Sequence, residues 1–330
     1  MSSGGPARRV GPVPTGRSRN ILKLLQRGDM KLSIVIPAYN EAGNIAACVK
    51  ELQDVVGVRE GLDYEIVVVN DNSTDETAAV VESLIEKDAS VRLVSRTPPG
   101  GFGRAIRSGL DAVTGDVVVI YMADLSDDPN DVIAYYRKIE EGYDCVFGSR
   151  FRPGSKVQHY PWVKLVVNRV VNCCIQLMFW VPYNDLTNAF KAYRTSVIRD
   201  CGPYQASHFN ITLELSLSAL IRRYRIAEIP ISWSGRQWGA SNLRLQEMGR
   251  RYLSTLLMMF FQRILVADDI RAECSHPTSP AGKSVALNHR VEAATEPDLE
   301  ERDLAQILDE LHRVQKALQL PAEKSCAVQS

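Results

Sequence analysis

The sequence predicts an α/β fold, with a mostly parallel sheet that carries helices on both faces. Two observations lead to this prediction. From Lys31 onward, short apolar runs rich in Val and Ile alternate with longer stretches of helical periodicity, and the apolar runs are continuous. Continuous runs indicate strands that are buried on both faces, which is typical of parallel sheets covered by crossover helices.

The predicted elements follow one another along the chain. The first four strands are LSIVIPAYN, YEIVVVND, VRLVS and DVVVIYMAD, and the three helices between them cover about 44–56, 73–86 and 103–113. Later strands are predicted in YDCVFGSRF (143–151), NAFKAYRTSVI (188–198) and RIAEIPISW (225–233), with helices near 162–180 and 211–223. This order predicts one large α/β domain over residues 30–267.

The flanking segments have a different composition. Residues 1–29 combine arginines with Gly, Pro and Ser and predict a disordered basic arm, and residues 268–294 predict a linker. Residues 295–320 predict an amphipathic helix whose apolar residues recur with 3-4-3-4 spacing. Such a helix could form a short coiled coil that joins two copies of the chain, or remain a single amphipathic tail.

Overall composition excludes some classes of protein. Apolar residues make up 45% of the 330, and the 39 basic residues balance the 39 acidic ones, so nothing points to nucleic acid as a partner. The seven cysteines are scattered without a CxxC pair, which favours reduced thiols in a cytoplasmic protein.

Polar side chains cluster where predicted strands end. Pro37, Tyr39 and Glu41 follow the first strand, Asp71 the second, and Asp124 the fourth. Ligands of open α/β sheets bind beyond the carboxyl ends of the strands, so these residues are candidates for a binding site. Nearby Asn, Ser and Asp residues at 44, 73 and 75 are instead expected to cap helices.

The segment YMADLSDDP (121–129) places three carboxylates within five residues, at 124, 127 and 128. Repulsion makes such a cluster unfavourable unless solvent, hydrogen-bond donors or a cation neutralise it. Two interpretations remain at this point: a helix-capping turn and a metal site. The glycine cluster PPGGFG (98–103) leaves a similar choice between a phosphate-binding turn and a plain turn, since it follows the third strand rather than the first.

Basic residues follow the strand that ends in GSR. Arg150, Arg152 and Lys164 could bind phosphate oxygens, or Arg150 could pair with a nearby aspartate. In the mostly apolar helix near 162–181, the polar residues Asn168, Asn172 and Gln176 lie on one face. It could lie in a membrane interface or be an amphipathic core helix. A phosphate site beside a lipid-facing helix would suit a lipid phosphate.

Seven motifs then resemble, in order and spacing, those of glycosyltransferase family two: IVIPAYNEAGNI, VVVNDNSTDET, GGFGRAIRSGL, ADLSDDP, FGSRF, NDLTNAFKAYR and RQWGASNLRL. They cover about residues 31–265 and are most similar to the dolichyl-phosphate mannosyltransferase and polyprenyl-phosphate sugar transferase branch. The resemblance implies a GT-A fold, a nucleotide diphosphate sugar of the GDP or UDP type, Mg²⁺ or Mn²⁺, and inversion at the anomeric carbon.

The resemblance also assigns roles to residues. The nucleotide-sugar pocket would be lined by Pro37, Tyr39, Glu41, Asp71, Asp124 and Arg236, with Asp71 holding the base. The metal would be held by Asp124, with Ser126 or Asp127 compensating for Met122, which replaces the first aspartate of the family motif. The acceptor phosphate would be held by Arg150, Arg152, Lys164 and Asn168.

The predicted function is transfer of a hexose from a nucleotide diphosphate sugar to a polyprenyl phosphate at the cytoplasmic membrane face. A phosphate dianion needs no general base, since its second ionisation lies near pH ~6. One alternative is a hydroxyl acceptor, which does need a base, with Asp185 as the candidate. A second is an inactive nucleotide-sugar binder or assembly subunit. Asp124, Arg150 and Asp185 are therefore the candidate catalytic residues.

Overall fold

The structure, a computed structural model, describes residues 30–235 and 245–275. The strands are β1 (Leu32–Ala38), β2 (Tyr64–Asn70), β3 (Val91–Ser95), β4 (Val117–Ile120), β5 (Cys145–Ser149), β6 (Lys156–Gln158), β7 (Lys191–Arg194), β8 (Ile226–Pro230) and β9 (Ser232–Ser234). The helices are α1 (Ile45–Leu52), α2 (Thr77–Ile85), α3 (Phe102–Ala112), α4 (Pro129–Glu140), α5 (Trp162–Phe179), α6 (Thr195–Cys201), α7 (Ile211–Ile221) and α8 (Leu245–Ser275). A π-helical segment, Gln53–Arg59, continues α1.

Seven strands form one sheet in the order β3-β2-β1-β4-β7-β5-β8, and β6 pairs with β9 in a small second sheet. The large sheet is parallel except at β7, which runs antiparallel to both β4 and β5. The carboxyl ends of the other six strands therefore lie along one edge, together with the start of β7. This arrangement confirms the predicted α/β class with a mostly parallel sheet.

Two apolar clusters cover the two faces of the sheet. Every residue of β1 is buried, and neighbouring residues go to opposite sides: Val35 packs with α3, α7 and α8, whereas Ile34 and Ile36 pack with α1 and α4. Because both sides of a central strand are covered, its sequence is apolar throughout. The continuous apolar runs in the sequence have this cause.

Three predicted elements end elsewhere than expected. The predicted strand 188–198 is β7 only as far as Arg194, which pairs with the first residue of β4, and the chain then turns into α6 because the partner strand goes no further. The predicted strand 225–233 is divided between β8 and β9, which belong to different sheets. Helix α8 runs past the predicted domain end at 267. The predicted arm and tail helix lie outside the described residues, as does the predicted linker from 276 onward.

Candidate active site

The acidic segment leaves β4 at the edge where the strand ends meet. Asp128 is the N-cap of α4, and its carboxylate accepts a hydrogen bond from the backbone nitrogen of Asn130 at 2.9 Å. Asp124 is half-buried and accepts from the backbone nitrogen of Ser126 at 3.2 Å. One of the three carboxylates in YMADLSDDP therefore caps a helix, as the sequence allowed, and two remain for other roles.

Asp127 has an unusual environment for a carboxylate. Its side chain is buried, and its Oδ2 atom has no hydrogen-bond partner among the described atoms. Burial and the neighbouring charge of Asp124 raise the pKa of Asp127 well above its usual value, although the backbone N–H of Met122 donates to it. The buried hydroxyl of Tyr121 fixes the backbone beside it, since it donates to the carbonyl of Asp127 at 2.6 Å.

Four of the residues predicted to bind the nucleotide sugar lie at the ends of the neighbouring strands β1 and β2. Pro37 is buried within β1, Tyr39 is exposed just after it, and Glu41 is buried and accepts from the Asn44 side chain at 2.8 Å. The loop after β2 lies alongside, because Ala38 and Asn70 are paired in register and the Asp71 nitrogen donates to the Ala38 carbonyl at 2.9 Å. The predicted pocket residues from both strands are therefore neighbours.

Asp71 is engaged by the protein itself. Its carboxylate accepts hydrogen bonds from the Arg96 guanidinium and from the backbone nitrogen of Gly101, the latter at 2.6 Å. Two backbone N–H groups in the first turn of α3, on Gly103 and Arg104, have no partner within the helix. Both donate to the carbonyl of Ser207, at 3.1 and 3.4 Å. Three N–H groups of the glycine cluster and the start of α3 are therefore bonded within the protein, which favours a packing turn over a phosphate-binding turn.

Arg150 and Asp185 form a buried ion pair. Nε and Nη2 of Arg150 each donate to one carboxylate oxygen at 2.8 Å, and the Arg150 backbone nitrogen adds a third bond at 3.1 Å. The Asp185 side chain has no exposed surface, and that of Arg150 is 10% exposed. Both carboxylate oxygens of Asp185, the candidate general base, therefore accept hydrogen bonds from Arg150.

The outer edge of the Arg150 guanidinium is less firmly held. Nη1 has one long contact, 3.4 Å to the Tyr160 hydroxyl. The rings of Phe151, Tyr160 and Trp233 surround the guanidinium with their centres 5.4–5.9 Å away. Trp233 also forms a β-bridge with Asp127. Arg150 and the acidic loop are thus held beside each other, a contact that the sequence did not reveal.

The other predicted acceptor residues lie at the same edge. Arg152 is half-exposed and pairs with Glu228 at 2.9 Å, and Lys164 is half-buried on the first turn of α5. Asn168 donates to the Thr187 hydroxyl at 2.8 Å, and this hydroxyl lies 3.4 Å from Asp185. A hydrogen-bonded chain therefore joins Asn168 to Arg150. Arg236, predicted to contact the donor, lies outside the described residues.

Helix α5 carries its polar side chains inward. Asn172 and Gln176 are buried, and Asn172 binds the backbone nitrogen of Leu186 at 2.7 Å and the Thr187 hydroxyl at 3.1 Å. Several of its apolar side chains, at 163, 167, 170 and 177, face outward, although Ile175 and Phe179 are buried. The tryptophans at its two ends, Trp162 and Trp180, are 70% and 64% exposed. Helix α8 lies against α5 and also exposes apolar residues, at 253, 257, 258, 261, 264 and 265.

By length and composition, α5 could cross a membrane, and it is the one helix in the described part of the chain that could. However, a third of its residues are buried inside the protein, and its polar face binds the loop before β7. It is therefore packed along the surface of the domain as an amphipathic helix whose apolar face is outermost.

The fit of a divalent cation depends on Asp124 and Asp127. Among the described residues, no three His, Cys, Asp or Glu side chains are grouped closely enough to hold a metal ion. Mg²⁺ in phosphate-binding sites, however, is commonly held by one or two carboxylates, with phosphate oxygens and water completing its shell. The orphaned Oδ2 of Asp127 beside a second carboxylate meets that requirement.

Several residues of this site were missed in the sequence. Arg96, Tyr160, Thr187 and Trp233 contact predicted site residues. Thr187 lies only two residues after Asp185, but Arg96 and Trp233 lie far along the chain from their partners, Asp71 and Asp127. Local spacing carries no signal for such pairs. Only their position near strand ends could have suggested them.

Comparison with known proteins gives a family and a fold. Residues 33–203 match the model of the glycosyl transferase family 2. The chain is 28% identical over 223 residues to a polyprenol monophosphomannose synthase of Mycolicibacterium smegmatis, an alignment that covers 66% of this chain and 82% of that protein. It is 29% identical over 217 residues to a dolichol-phosphate mannosyltransferase of Pyrococcus furiosus, covering 65% of this chain and 60% of that relative's length.

Among solved structures, the chain resembles glucosyl-3-phosphoglycerate synthase from Mycobacterium tuberculosis. The complex of that enzyme with Mn²⁺, UDP and glucosyl-3-phosphoglycerate superposes with a TM-score of 0.55 at 21% identity, over 76% of this chain and 86% of the other. Its complex with Mg²⁺ and UDP gives a TM-score of 0.54 at 20% identity, over 77% and 85%. These likenesses confirm the predicted GT-A fold.

Proposed function

The chain belongs to the glycosyl transferase family 2, and from that premise we propose that it transfers a hexose from a nucleotide diphosphate sugar to a polyprenyl phosphate. The two relatives named above bear names of such enzymes. The observation that carries the proposal is the outward apolar face of α5, a helix that begins ten residues after Arg152. A lipid phosphate requires a cationic end and an apolar surface next to each other.

The donor would lie across the loops that follow β1, β2 and β4. Tyr39, Glu41 and Asp71 would contact the nucleoside there, and Asp124 and Asp127 would hold Mg²⁺ or Mn²⁺. A bound cation would neutralise the charge of the diphosphate leaving group. The buried, orphaned oxygen of Asp127 supports this assignment, because it needs a partner that the described residues do not supply.

The acceptor phosphate would be met by Arg150. Asp185 fixes the orientation of the guanidinium through Nε and Nη2, which leaves Nη1 directed away from the pair and available to a phosphate oxygen. Asp185 is thus a positioning residue in this proposal. Arg152, before α5, and Lys164 and Asn168, on its first two turns, would complete the acceptor site.

The proposed reaction needs no protein base. An oxygen of the phosphate dianion forms a bond to the anomeric carbon from the face opposite the diphosphate, and the bond from that carbon to the diphosphate breaks with its electron pair. No proton has to be removed from the nucleophile. The burial of Asp185 supports this proposal, because both of its oxygens already accept hydrogen bonds from Arg150.

The test is incubation with labelled nucleotide sugars, Mg²⁺ and citronellyl phosphate, a short isoprenoid phosphate, followed by extraction into organic solvent. We expect label in the organic phase for one donor, and its loss in Arg150→Gln. Arg222→Gln, which changes a partly exposed arginine paired with Asp200, is the matched control. Label that stays in water for every donor would contradict the lipid acceptor, and donor binding without any turnover would favour the inactive binder.

We also propose that the apolar faces of α5 and α8 attach the protein peripherally to the cytoplasmic membrane face. Tryptophan at both ends of α5 supports this, because its ring prefers the interface between lipid and water. Flotation with anionic liposomes should carry the wild type upward, whereas Trp162→Ala/Trp180→Ala should remain mostly below. Val58→Ala, another exposed apolar residue, serves as control. A wild type that stays soluble would exclude this attachment.

A further inference from the structure

Lys191 is a buried lysine at the active-site end of β7. It is 1% exposed, and its Nζ donates to the Leu186 carbonyl and the Ser216 hydroxyl, both at 2.6 Å. Nζ also lies 4.9 Å from the centre of the Phe147 ring. No described carboxylate lies within ion-pair distance of it. Lysines are almost never buried without such a partner, so this position requires an explanation.

The lysine lies beneath the loop that carries Asp185. Leu186, whose carbonyl it binds, is the next residue after Asp185, and Asp185 in turn holds Arg150. The charged or titratable groups that act on Lys191 are Asp185, Arg150, Glu228 and Cys145. Glu228 is itself paired with Arg152. Ser216, the hydrogen-bond partner of Lys191, is neutral. Tyr193, whose hydroxyl lies 3.4 Å from the Ser216 oxygen, is neutral too.

Because of these pairings, the net charge of the cluster depends on whether Lys191 is protonated. The charges of Arg150 and Asp185 cancel, and so do those of Arg152 and Glu228. Arg169, whose Nη1 donates to the Asn184 carbonyl at 2.9 Å, adds a further positive charge beside them. The cluster therefore carries one more positive charge when Lys191 is protonated than when it is neutral. Charges act strongly on one another where water is excluded, so an anion at Nη1 of Arg150 would be held more tightly in the first case.

The proton of Lys191 exchanges in an accessible pH range. Burial lowers its pKa to about 7, with Arg150 adding to this effect and Asp185 opposing it. Its neutral and charged forms therefore coexist near neutral pH. Both forms can donate the two observed hydrogen bonds, so the loop can stay in place while the charge changes.

We propose that Lys191 couples the binding of a phosphate at Arg150 to the uptake of one proton, in addition to positioning the loop of Asp185. The inference rests on the proposed function, because it takes the phosphate of the acceptor as the anion. By linkage, an anion that favours the charged lysine must bind more tightly when that lysine is already protonated. The contribution of Lys191 to affinity is present below about pH 6 and is lost as the pH rises to about 8.

The test is calorimetric titration of the full chain with citronellyl phosphate and Mg²⁺ at pH 6.5 and 8.0, in buffers of different ionisation enthalpy. The ligand itself also ionises near pH ~6, so the contribution of Lys191 is obtained by comparing wild type with variants of this residue. Wild type should take up more protons than Lys191→Met, and its affinity relative to that variant should fall about fivefold between the two pH values. Lys191→Arg stays charged, and should bind without the extra uptake and keep its affinity at pH 8.0.

The outcomes separate this inference from the proposed function. Equal proton uptake in wild type and Lys191→Met would overturn the inference alone, whereas a wild type that binds no phosphate at either pH would overturn both. If the Lys191 variants do not fold, Ser216→Ala serves as the second test. It removes one acceptor of the charged form and should move the midpoint of the pH dependence to lower pH. An unchanged midpoint would overturn the inference.

Discussion

Glu65 and Asp127 are both buried carboxyl groups, and their surroundings shift their pKa values in opposite directions. Burial alone would raise the pKa of Glu65, but hydrogen bonds from Ser33, Thr114 and Arg92 outweigh it and lower the pKa to about 2. Asp127 has too few donors, so burial raises its pKa. A fully bonded carboxylate stabilises a fold, whereas an unsatisfied one more often indicates a binding position.

Replacing Asp127 by Asn tests that distinction. We expect Mn²⁺ affinity in the presence of a nucleoside diphosphate to fall at least about tenfold, roughly 1.4 kcal/mol, while thermal stability without metal stays the same or rises, because a buried, poorly bonded carboxyl is removed. Calorimetry and thermal unfolding measure the two effects. Asp128→Asn changes a neighbouring cap and should leave metal affinity unaltered. Equal Mn²⁺ affinity in Asp127→Asn and wild type would exclude this residue as a ligand.

The lowered pKa of Glu65 predicts that the stability of the protein, rather than its activity, depends on pH. Its folded-state pKa of about 2 lies below the usual value, so its stabilisation is complete above about pH 4.5 and is lost as the pH falls towards 2. Urea unfolding should show wild type more stable than Glu65→Gln by roughly 3 kcal/mol at pH 7, and by much less at pH 2.5. Exposed Glu82→Gln is the control. A stability difference that does not change with pH would refute this account.

At the scale of elements, the polar stripe of α5 could be predicted from the sequence. Whether this stripe faces the core or the solvent could not. The spacing of Asn168, Asn172 and Gln176 correctly puts them on one face. Which face is buried depends on the loop before β7, where the Leu186 nitrogen and the Thr187 hydroxyl need partners. Those groups are only brought to the helix by the fold. A rule that turns polar residues towards water therefore fails here.

The start of α3 shows how one glycine can hold two elements together. A Cβ added to Gly103 would come within 2.5 Å of the Ala206 carbonyl and 2.8 Å of the His208 nitrogen. We expect Gly103→Ala to lower the free energy of unfolding by about 1–3 kcal/mol and to weaken nucleotide binding, because Asp71 is bonded to the same turn. Gly43→Ala, where nothing lies near the new atom, should be close to neutral. Similar losses in both variants would contradict the packing argument.

For the molecule as a whole, the sequence predicted the class of fold and most strands, because these follow from local runs of apolar residues. It also placed Asp71, Asp124 and Arg150 at one edge, since parallel strands end together. It did not predict that β7 would insert antiparallel between β4 and β5, or that Asp185 would take Arg150 as partner. Both depend on contacts between distant segments, for which a single sequence contains no periodic signal.

The boundaries of the folding unit give a last prediction. Both apolar clusters lie between Leu32 and Met259, and α8 ends at Ser275. A chain of residues 30–275 should therefore unfold cooperatively in urea with a midpoint close to that of the full chain, and should bind the donor nucleotide with the same affinity. If residues 295–320 form a coiled coil, sedimentation should show a larger assembly for the full chain only. Loss of cooperative unfolding on truncation would mean that the flanking segments belong to the folding unit.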